Sequence, residues 1–294
     1  SWKLSDRDPS QPPFEEADEK AWRLRCMEVY AAQIERMDRG IGRLLDALEE
    51  TGALDNTLIL FLSDNGGCAE PTPVGVDPAV MVETLQIAQY RTRDGRDVKM
   101  GDIPGLMPGG EDTYQSYGVA WANLSNTPFR LYKRWVHEGG IATPLIVHWP
   151  ARIADAGGIR HTPGQLPDIM ATLIELTGAE YPSEFAGQDI PPCEGTSFAA
   201  SFDGDIARSR PMFLEHLGNA AIRDGKWKLV RVYQGPWELY DLVADRTELN
   251  DLAAEHPERV ASMAAAYEVW AERCGVIPFE KIQLVSYMSQ KPAS

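Results

Sequence analysis

Asp64 and Asn65 stand in the run Ser63-Asp64-Asn65-Gly66-Gly67, directly after the apolar stretch Thr57-Leu58-Ile59-Leu60-Phe61-Leu62. A carboxylate and a side-chain amide oxygen are hard ligands, suited to Ca2+ first and Mg2+ second, and poorly suited to zinc. The same run also reads as a tight turn, because Asn and Gly tolerate the backbone such turns need. Further on, Lys133 precedes Glu138-Gly139-Gly140, with Arg130 and Arg134 beside it. A lysine ammonium can hold an anionic oxygen while paired glycines let backbone approach closely. A solvated basic patch is the plainer reading of the same cluster. Among the five histidines, His137 and His216 follow loop or strand ends from which they could reach a cleft, whereas His148 falls within an apolar strand and reads as a core residue. Cys26, Cys68, Cys193 and Cys274 lie far apart with no Cys-x-x-Cys pair, so they read as isolated thiols, with neither zinc spacing nor a disulfide framework.

The charge balance narrows what these groups could serve. With Lys+Arg 28 against Asp+Glu 44, the 294-residue chain carries a formal charge of -16. Such a surface repels nucleic-acid phosphates and anionic membranes. A local basic cluster beside a glycine-rich loop therefore points to an anionic small ligand. No run approaches the ~18 apolar residues of a membrane span. The hydrophobic share of 44% is ample for a packed core, which excludes wholesale disorder. The chain starts at Ser1-Trp2-Lys3-Leu4 with neither Met nor a signal peptide, which leads to the expectation that processing or truncation removed what came first.

The elements that must position these residues follow from periodicity. Residues 1–19 are polar and Pro-rich and read as an irregular lead-in. From Ala21 to Glu50, Leu24, Met27, Ala31, Ile34, Met37, Ile41, Leu44 and Leu48 recur at helical spacing, and Gly52 stands where a left-handed stop is wanted. Thr57–Leu62 reads as a strand covered on both faces, as in a parallel sheet. The long stretch 70–126 reads as a functional loop containing one helix, with Asp77 as cap, Pro78 at its first position and Met81, Leu85 and Ala88 on one face. A second strand is expected at Pro144–Trp149 and a helix over Leu166–Thr177, ended by Gly178. After Pro211, short strand-like runs at Met212–His216, Ala220–Arg223, Trp227–Tyr233 and Trp237–Leu242 predict an antiparallel meander, with a last helix over Pro257–Arg273. The expected organisation is an α/β part over 1–205 and a small antiparallel-sheet part with its helix over 206–294.

The order of these segments resembles one family. Leu60-Phe61-Leu62-Ser63-Asp64-Asn65-Gly66-Gly67 resembles the second metal-binding segment of the sulfatases. The segment from Trp121 to Pro144, with Asn126-Thr127-Pro128-Phe129-Arg130 and Lys133 ahead of His137-Glu138-Gly139-Gly140, resembles the arylsulfatase lysine segment. His161-Thr162-Pro163-Gly164-Gln165, Glu215-His216-Leu217-Gly218-Asn219, Asp224-Gly225-Lys226-Trp227-Lys228-Leu229-Val230 and Trp237-Glu238-Leu239-Tyr240-Asp241-Leu242 extend the likeness over most of residues 21–280.

The resemblance implies a large mixed sheet flanked by helices, of the alkaline-phosphatase type, followed by a small antiparallel sheet plus helix. It implies calcium-dependent hydrolysis of sulfate esters, with Asp64 and Asn65 as the later pair of metal ligands, Lys133 as the catalytic and sulfate-binding lysine, and His216 near the substrate mouth. A sulfated small molecule or carbohydrate is the implied substrate, and a periplasmic or extracellular setting the implied location. The chain departs from the family in one respect. The formylglycine motif Cys/Ser-x-Pro-x-Arg is absent: Cys68 is followed by Ala69-Glu70-Pro71, Cys193 by Glu194-Gly195, and Ser10-Gln11-Pro12 has Phe14 where Arg belongs. The early Asp-Asp ligands are missing as well. The expectation is a C-terminal fragment of a sulfatase, inactive alone. A non-catalytic relic or binding module and a related phosphodiesterase or phosphonate hydrolase are the alternatives.

Overall fold

A computed structural model describes residues 3–5, 10–77, 79–80 and 90–282. The helical spacing after residue 20 produces α1, Lys20–Glu50, and Gly52 at φ 69° ends it as expected. The Trp22 indole donates to Leu106 O at 3.0 Å, Arg25 Nε to Pro108 O at 3.1 Å, and Trp121 Nε1 back to Arg23 O at 2.8 Å, so the helix carries the long connection that follows β1.

β1 is Ile59–Leu62, and it pairs antiparallel with β4, Leu145–His148, in the register Ile59↔His148 to Leu62↔Leu145. This differs from the doubly covered strand that the apolar run suggested. Among the described residues the two strands form a ribbon of their own, with Phe61 39%, Leu145 40% and Ile146 57% exposed. His148, expected in the core, is exposed at the strand's end. An unbroken apolar run says what a strand can tolerate against its faces, not what is packed there. The antiparallel direction has a consequence for the site. It sets the loop leaving β1 beside the segment entering β4, and Thr143 Oγ1 donates to Ser63 O at 2.7 Å across that junction.

The connection between them carries β2, Lys99–Met100, paired in parallel with β3, Thr113–Tyr114, and then α2, Gly118–Ser125. Asp77 Oδ1 accepts from Ala79 N at 2.9 Å, as a helix cap would, but Pro78 and the expected face of Met81, Leu85 and Ala88 lie outside the described residues. The helical turn α3, Glu138–Ile141, precedes β4, and α4, Leu166–Thr177, follows it. α4 opens on a capping box between Gln165 and Asp168 and stops at Gly178. A small hairpin joins β5, Glu184–Phe185, to β6, Gln188–Asp189.

The C-terminal part is the expected meander. β7 (Met212–His216), β8 (Asn219–Asp224), β9 (Trp227–Arg231) and β10 (Glu238–Asp241) pair antiparallel in chain order, and α5, Pro257–Arg273, lies against one face. Alternation along the strands builds two apolar layers. Ile222, Leu229 and Leu239 pack against Met263 and Tyr267 of α5. Ala221, Val230 and Tyr240 face the other way and pack on Val136, in the segment that leads into α3. The small sheet is therefore the platform on which the lysine segment rests. Among the described residues no helix is long and apolar enough to cross a membrane.

Candidate functional site

The turn after β1 and the segment before β4 interlock through their backbones. Lys133 N donates to Gly67 O at 3.0 Å, Gly66 N to Gly140 O at 2.9 Å, and Gly139 N to Arg130 O at 3.1 Å. Asn126 bridges the two, accepting from Gly67 N at 2.9 Å and donating to Leu131 O at 3.0 Å. These approaches leave no room for side chains. A Cβ on Gly66 would fall 1.9 Å from Gly139 O, and one on Gly139 would fall 2.2 Å from Arg130 O. Leu131 (φ 67°) and Arg134 (φ 93°) flank Lys133 in the left-handed region, where a non-glycine residue costs about 1–3 kcal/mol and persists only if its surroundings fix it.

The lysine side chain emerges from this knot with defined partners. Lys133 Nζ lies 2.8 Å from Glu70 Oε2 and 3.9 Å from Cys68 Sγ. The Glu70 hydrogen bond, outweighing partial burial, raises the lysine above its ordinary value, and the charge of Asp64 adds to the effect. Reciprocally, the bond from Lys133 holds the Glu70 carboxyl below the usual range against its partial burial, with a smaller contribution from His216. Burial pushes the Cys68 thiol up. Lys133 and Glu70, 63 residues apart in the chain, thus form the pair at this place, with the charge of Asp64 acting on Lys133 and that of His216 on Glu70. Asp64 and His216 are exposed and Asn65 is half-buried. The segment carrying Asp64 and Asn65 is also a turn, with Ser63 Oγ donating to Asn65 O at 2.8 Å. His216 ends β7 at a hairpin whose Asn219 Nδ2 donates to Arg134 O at 3.1 Å, which ties that hairpin to the lysine segment.

Two buried polar clusters anchor the lysine segment to the C-terminal sheet. Glu238 Oε2 meets Arg130 at 2.6 Å, the Tyr240 hydroxyl at 2.7 Å and His137 Nε2 at 3.2 Å. Burial would raise the Glu238 carboxyl, but the His137 and Tyr240 hydrogen bonds and the Arg130 charge outweigh it and bring it down to about 2. His137, a candidate to reach a cleft, is instead buried at 1% exposure and serves this cluster. In the second cluster the buried Lys228 ammonium lies 2.7 Å from both Glu138 and Glu248, and Arg246 also pairs with Glu138. Glu138 N donates to Glu248 at 2.9 Å. Burial lowers the Lys228 ammonium below its ordinary value, against the pull of Glu248.

Neither Glu70 nor Lys228 stood out in the sequence. Strand alternation carried a signal for Lys228, since it shares a face with Val230 and that face is buried. Nothing local marked Glu70, whose partner is 63 residues away.

Asp64 and Asn65 offer the hard oxygens that Ca2+ prefers, but the ion takes ~6–8 such ligands. Among the described residues no group of three or more His, Cys, Asp or Glu side chains is placed to hold a metal. The pair therefore fits as part of a calcium shell and does not complete one. A cavity of about 370 Å3 lies between the lead-in residues Leu4 and Phe14 and the α2 residues Trp121 and Leu124, and none of the site residues lines it.

Residues 3–179 match the family described as Sulfatase, and residues 129–268 match the one described as N-sulphoglucosamine sulphohydrolase, C-terminal. The chain is 32% identical over 219 residues to an uncharacterized sulfatase of Schizosaccharomyces pombe, covering 73% of this chain and 37% of that protein. It is 30% identical over 184 residues to an arylsulfatase of Klebsiella aerogenes, covering 62% of this chain and 36% of that one. Among solved structures it is similar in fold, with TM-score 0.53 and 22% identity, to a protein in complex with its substrate D-glucosamine-2-N,6-O-disulfate, covering 86% of this chain and 42% of that one. The chain spans a little over a third of the length of these curated relatives.

Proposed function

The chain belongs to the sulfatase family, and from that premise we propose that it binds the sulfo group of a sulfate ester at Lys133 and stabilises the charge that develops when the ester is cleaved. The chain is similar in fold to that solved relative, with the small antiparallel sheet and helix at its C-terminal end. The observation that carries the proposal is the placement of Lys133 by the β1 turn, whose Gly67 O accepts from Lys133 N at 3.0 Å.

Cleaving a sulfate ester needs a nucleophile in line with the leaving oxygen, charge to polarise the sulfo oxygens, and fixed positive charge where the leaving group departs. Lys133 supplies fixed positive charge on a backbone that its own hydrogen bonds hold rigid. Asp64 and Asn65 would hold part of a Ca2+ shell, and the ion, when bound, would polarise a sulfo oxygen. His216, exposed at the end of β7, would face the part of a substrate that lies outside the sulfo group. Because no Cys or Ser here stands in the formylglycine motif, the reading assigns this chain the binding and charge-stabilising part of the reaction, with no turnover by itself. A sulfated carbohydrate or other small sulfate ester is the substrate class, supported by the match to the sulphoglucosamine sulphohydrolase C-terminal family and by the sulfated sugar on the solved relative.

Titration calorimetry with phenyl sulfate tests the reading. Lys133→Met should weaken binding roughly ten- to hundredfold, the weight of a charge-assisted hydrogen bond, while circular dichroism stays unchanged. Equal affinity in the folded variant would refute it. Adding Ca2+ should strengthen binding in the wild type and do so less in Asp64→Asn.

A further inference from the structure

The Glu70 carboxylate occupies the ammonium that would receive the ester. Glu70 Oε2 lies 2.8 Å from Lys133 Nζ, and the two side chains are 55% and 34% exposed, so a ligand can reach the pair from solvent. The Glu70 carboxylate balances the Lys133 charge in this pair, and burial holds the neighbouring Cys68, 3.9 Å from Nζ, as a neutral thiol. One cation paired with one carboxylate leaves no excess positive charge at the ammonium. Such a site discriminates by ligand charge: each additional negative charge on the ligand meets the Glu70 carboxylate again, while the ammonium has already been used.

We propose that Glu70 is a specificity-determining residue that makes the Lys133 site favour singly charged sulfate esters over doubly charged phosphate monoesters. The inference rests on the reading of Lys133 as the ester-binding group. A sulfate monoester carries one negative charge across the whole working range of pH. A phosphate monoester carries two above its second ionisation, near pH ~6, and one below it. One further unit charge about 6 Å from a carboxylate at a half-exposed site changes affinity by about three- to tenfold, for an effective dielectric between that of water and half of it. Glu70 remains ionised at pH 5 because its bond to Lys133 holds it below the usual carboxylate range. The selectivity therefore depends on the ligand's titration and not on that of Glu70.

The experiment compares phenyl sulfate with phenyl phosphate on the full chain by calorimetry, at pH 8 and pH 5, in the wild type, Glu70→Gln, Glu70→Asp and Lys133→Met. The phosphate-to-sulfate affinity ratio is the quantity read, since it cancels any effect of pH common to both ligands. In Glu70→Gln that ratio should rise about three- to tenfold at pH 8 and stay at the wild-type value at pH 5. Glu70→Asp, which keeps the charge, should keep the wild-type ratio at both. A ratio that does not move at pH 8, or that moves equally at pH 5, overturns the inference. If Lys133→Met binds phenyl sulfate as the wild type does, the ester-binding reading itself fails. If that variant weakens binding while Glu70→Gln leaves the ratio unchanged, only the role of Glu70 is lost. Absence of phenyl sulfate binding to the wild type overturns both.

Discussion

Glu238 concentrates three donors on one oxygen: Arg130, the Tyr240 hydroxyl and His137 all reach Oε2. Together they outweigh the burial of the carboxyl and bring it from its ordinary 4.5 to about 2, while burial and the bond to Glu238 push the Tyr240 hydroxyl well above its usual value. A carboxyl depressed on folding stabilises the folded state in full above its unfolded value. That contribution is lost as pH falls from 4.5 to about 2. Its size is ~3–4 kcal/mol by linkage, since each unit of displacement corresponds to ~1.4 kcal/mol. Urea unfolding of Glu238→Gln should show a stability deficit of that order at pH 6, and the gap to the wild type should narrow steadily down to pH 2.5. Parallel curves across that window would mean that Glu238 is not ionised in the way its partners require. The residue matters for the site because Arg130 and His137 bracket Lys133 in the chain, so the cluster fixes both ends of the loop that carries the ammonium.

Elements that a repeating pattern defines were legible in the sequence: the spacing of α1, the meander β7–β10 and the span of α4 with its stop at Gly178 all follow from short-range rules. The pairing of β1 with β4 was not, because an apolar run carries no information about the direction of its neighbour. The approach of the β1 turn to the Lys133 segment was legible only through the family resemblance. Glu70 and Lys228 had no assigned role in the sequence, since what removes Lys228 from water is a pair of carboxylates on distant segments. The glycines sit between these cases. Their number near Lys133 was visible, and their reason is the backbone approach that forms the knot. Gly139→Ala puts a methyl 2.2 Å from Arg130 O and 2.3 Å from Leu131 O, backbone atoms that cannot turn away. Overpacking of this kind costs about 1–3 kcal/mol or more. Gly42→Ala, inside α1 with nothing within 4 Å of the new methyl, should instead stabilise the chain by about 0.5–1 kcal/mol. Thermal unfolding of the two variants should therefore move in opposite directions. A neutral Gly139→Ala would show that the β1 turn and α3 do not approach as closely as their hydrogen bonds indicate.

Across the whole molecule the buried apolar side chains are unevenly distributed. Ile222, Leu229, Val230 and Leu239 are at most 1% exposed and lie in the C-terminal sheet, whereas Cys26 is the one residue of α1 that is buried, and Ile34, Met37 and Leu44 are 43%, 50% and 59% exposed. Local opening free energy follows buried contacts, so the two regions should open at different cost. A two-stranded ribbon such as β1–β4 is weak unless something packs on it. The lysine segment could follow either partner, since it is hydrogen-bonded to the β1 turn on one side and tied to the sheet on the other. The ties to the sheet are the stronger set: Val136 is packed on Ala221, Val230 and Tyr240, and Lys228 joins Glu138 to Glu248 without exposure to water. Removing one partner of a buried ion pair costs ~3–5 kcal/mol, far more than a solvated turn contributes. Hydrogen exchange read by peptide mass spectrometry should then find the slowest amides in β8 and β9, amides from Val136 to Gly140 close behind them, and faster exchange by orders of magnitude in β1 and in the second half of α1. Protection of 136–140 that matched β1 instead of β9 would place the lysine on the weaker body. The ammonium would then be no better fixed than a surface side chain, and a site that depends on preorganised charge could not be built on it.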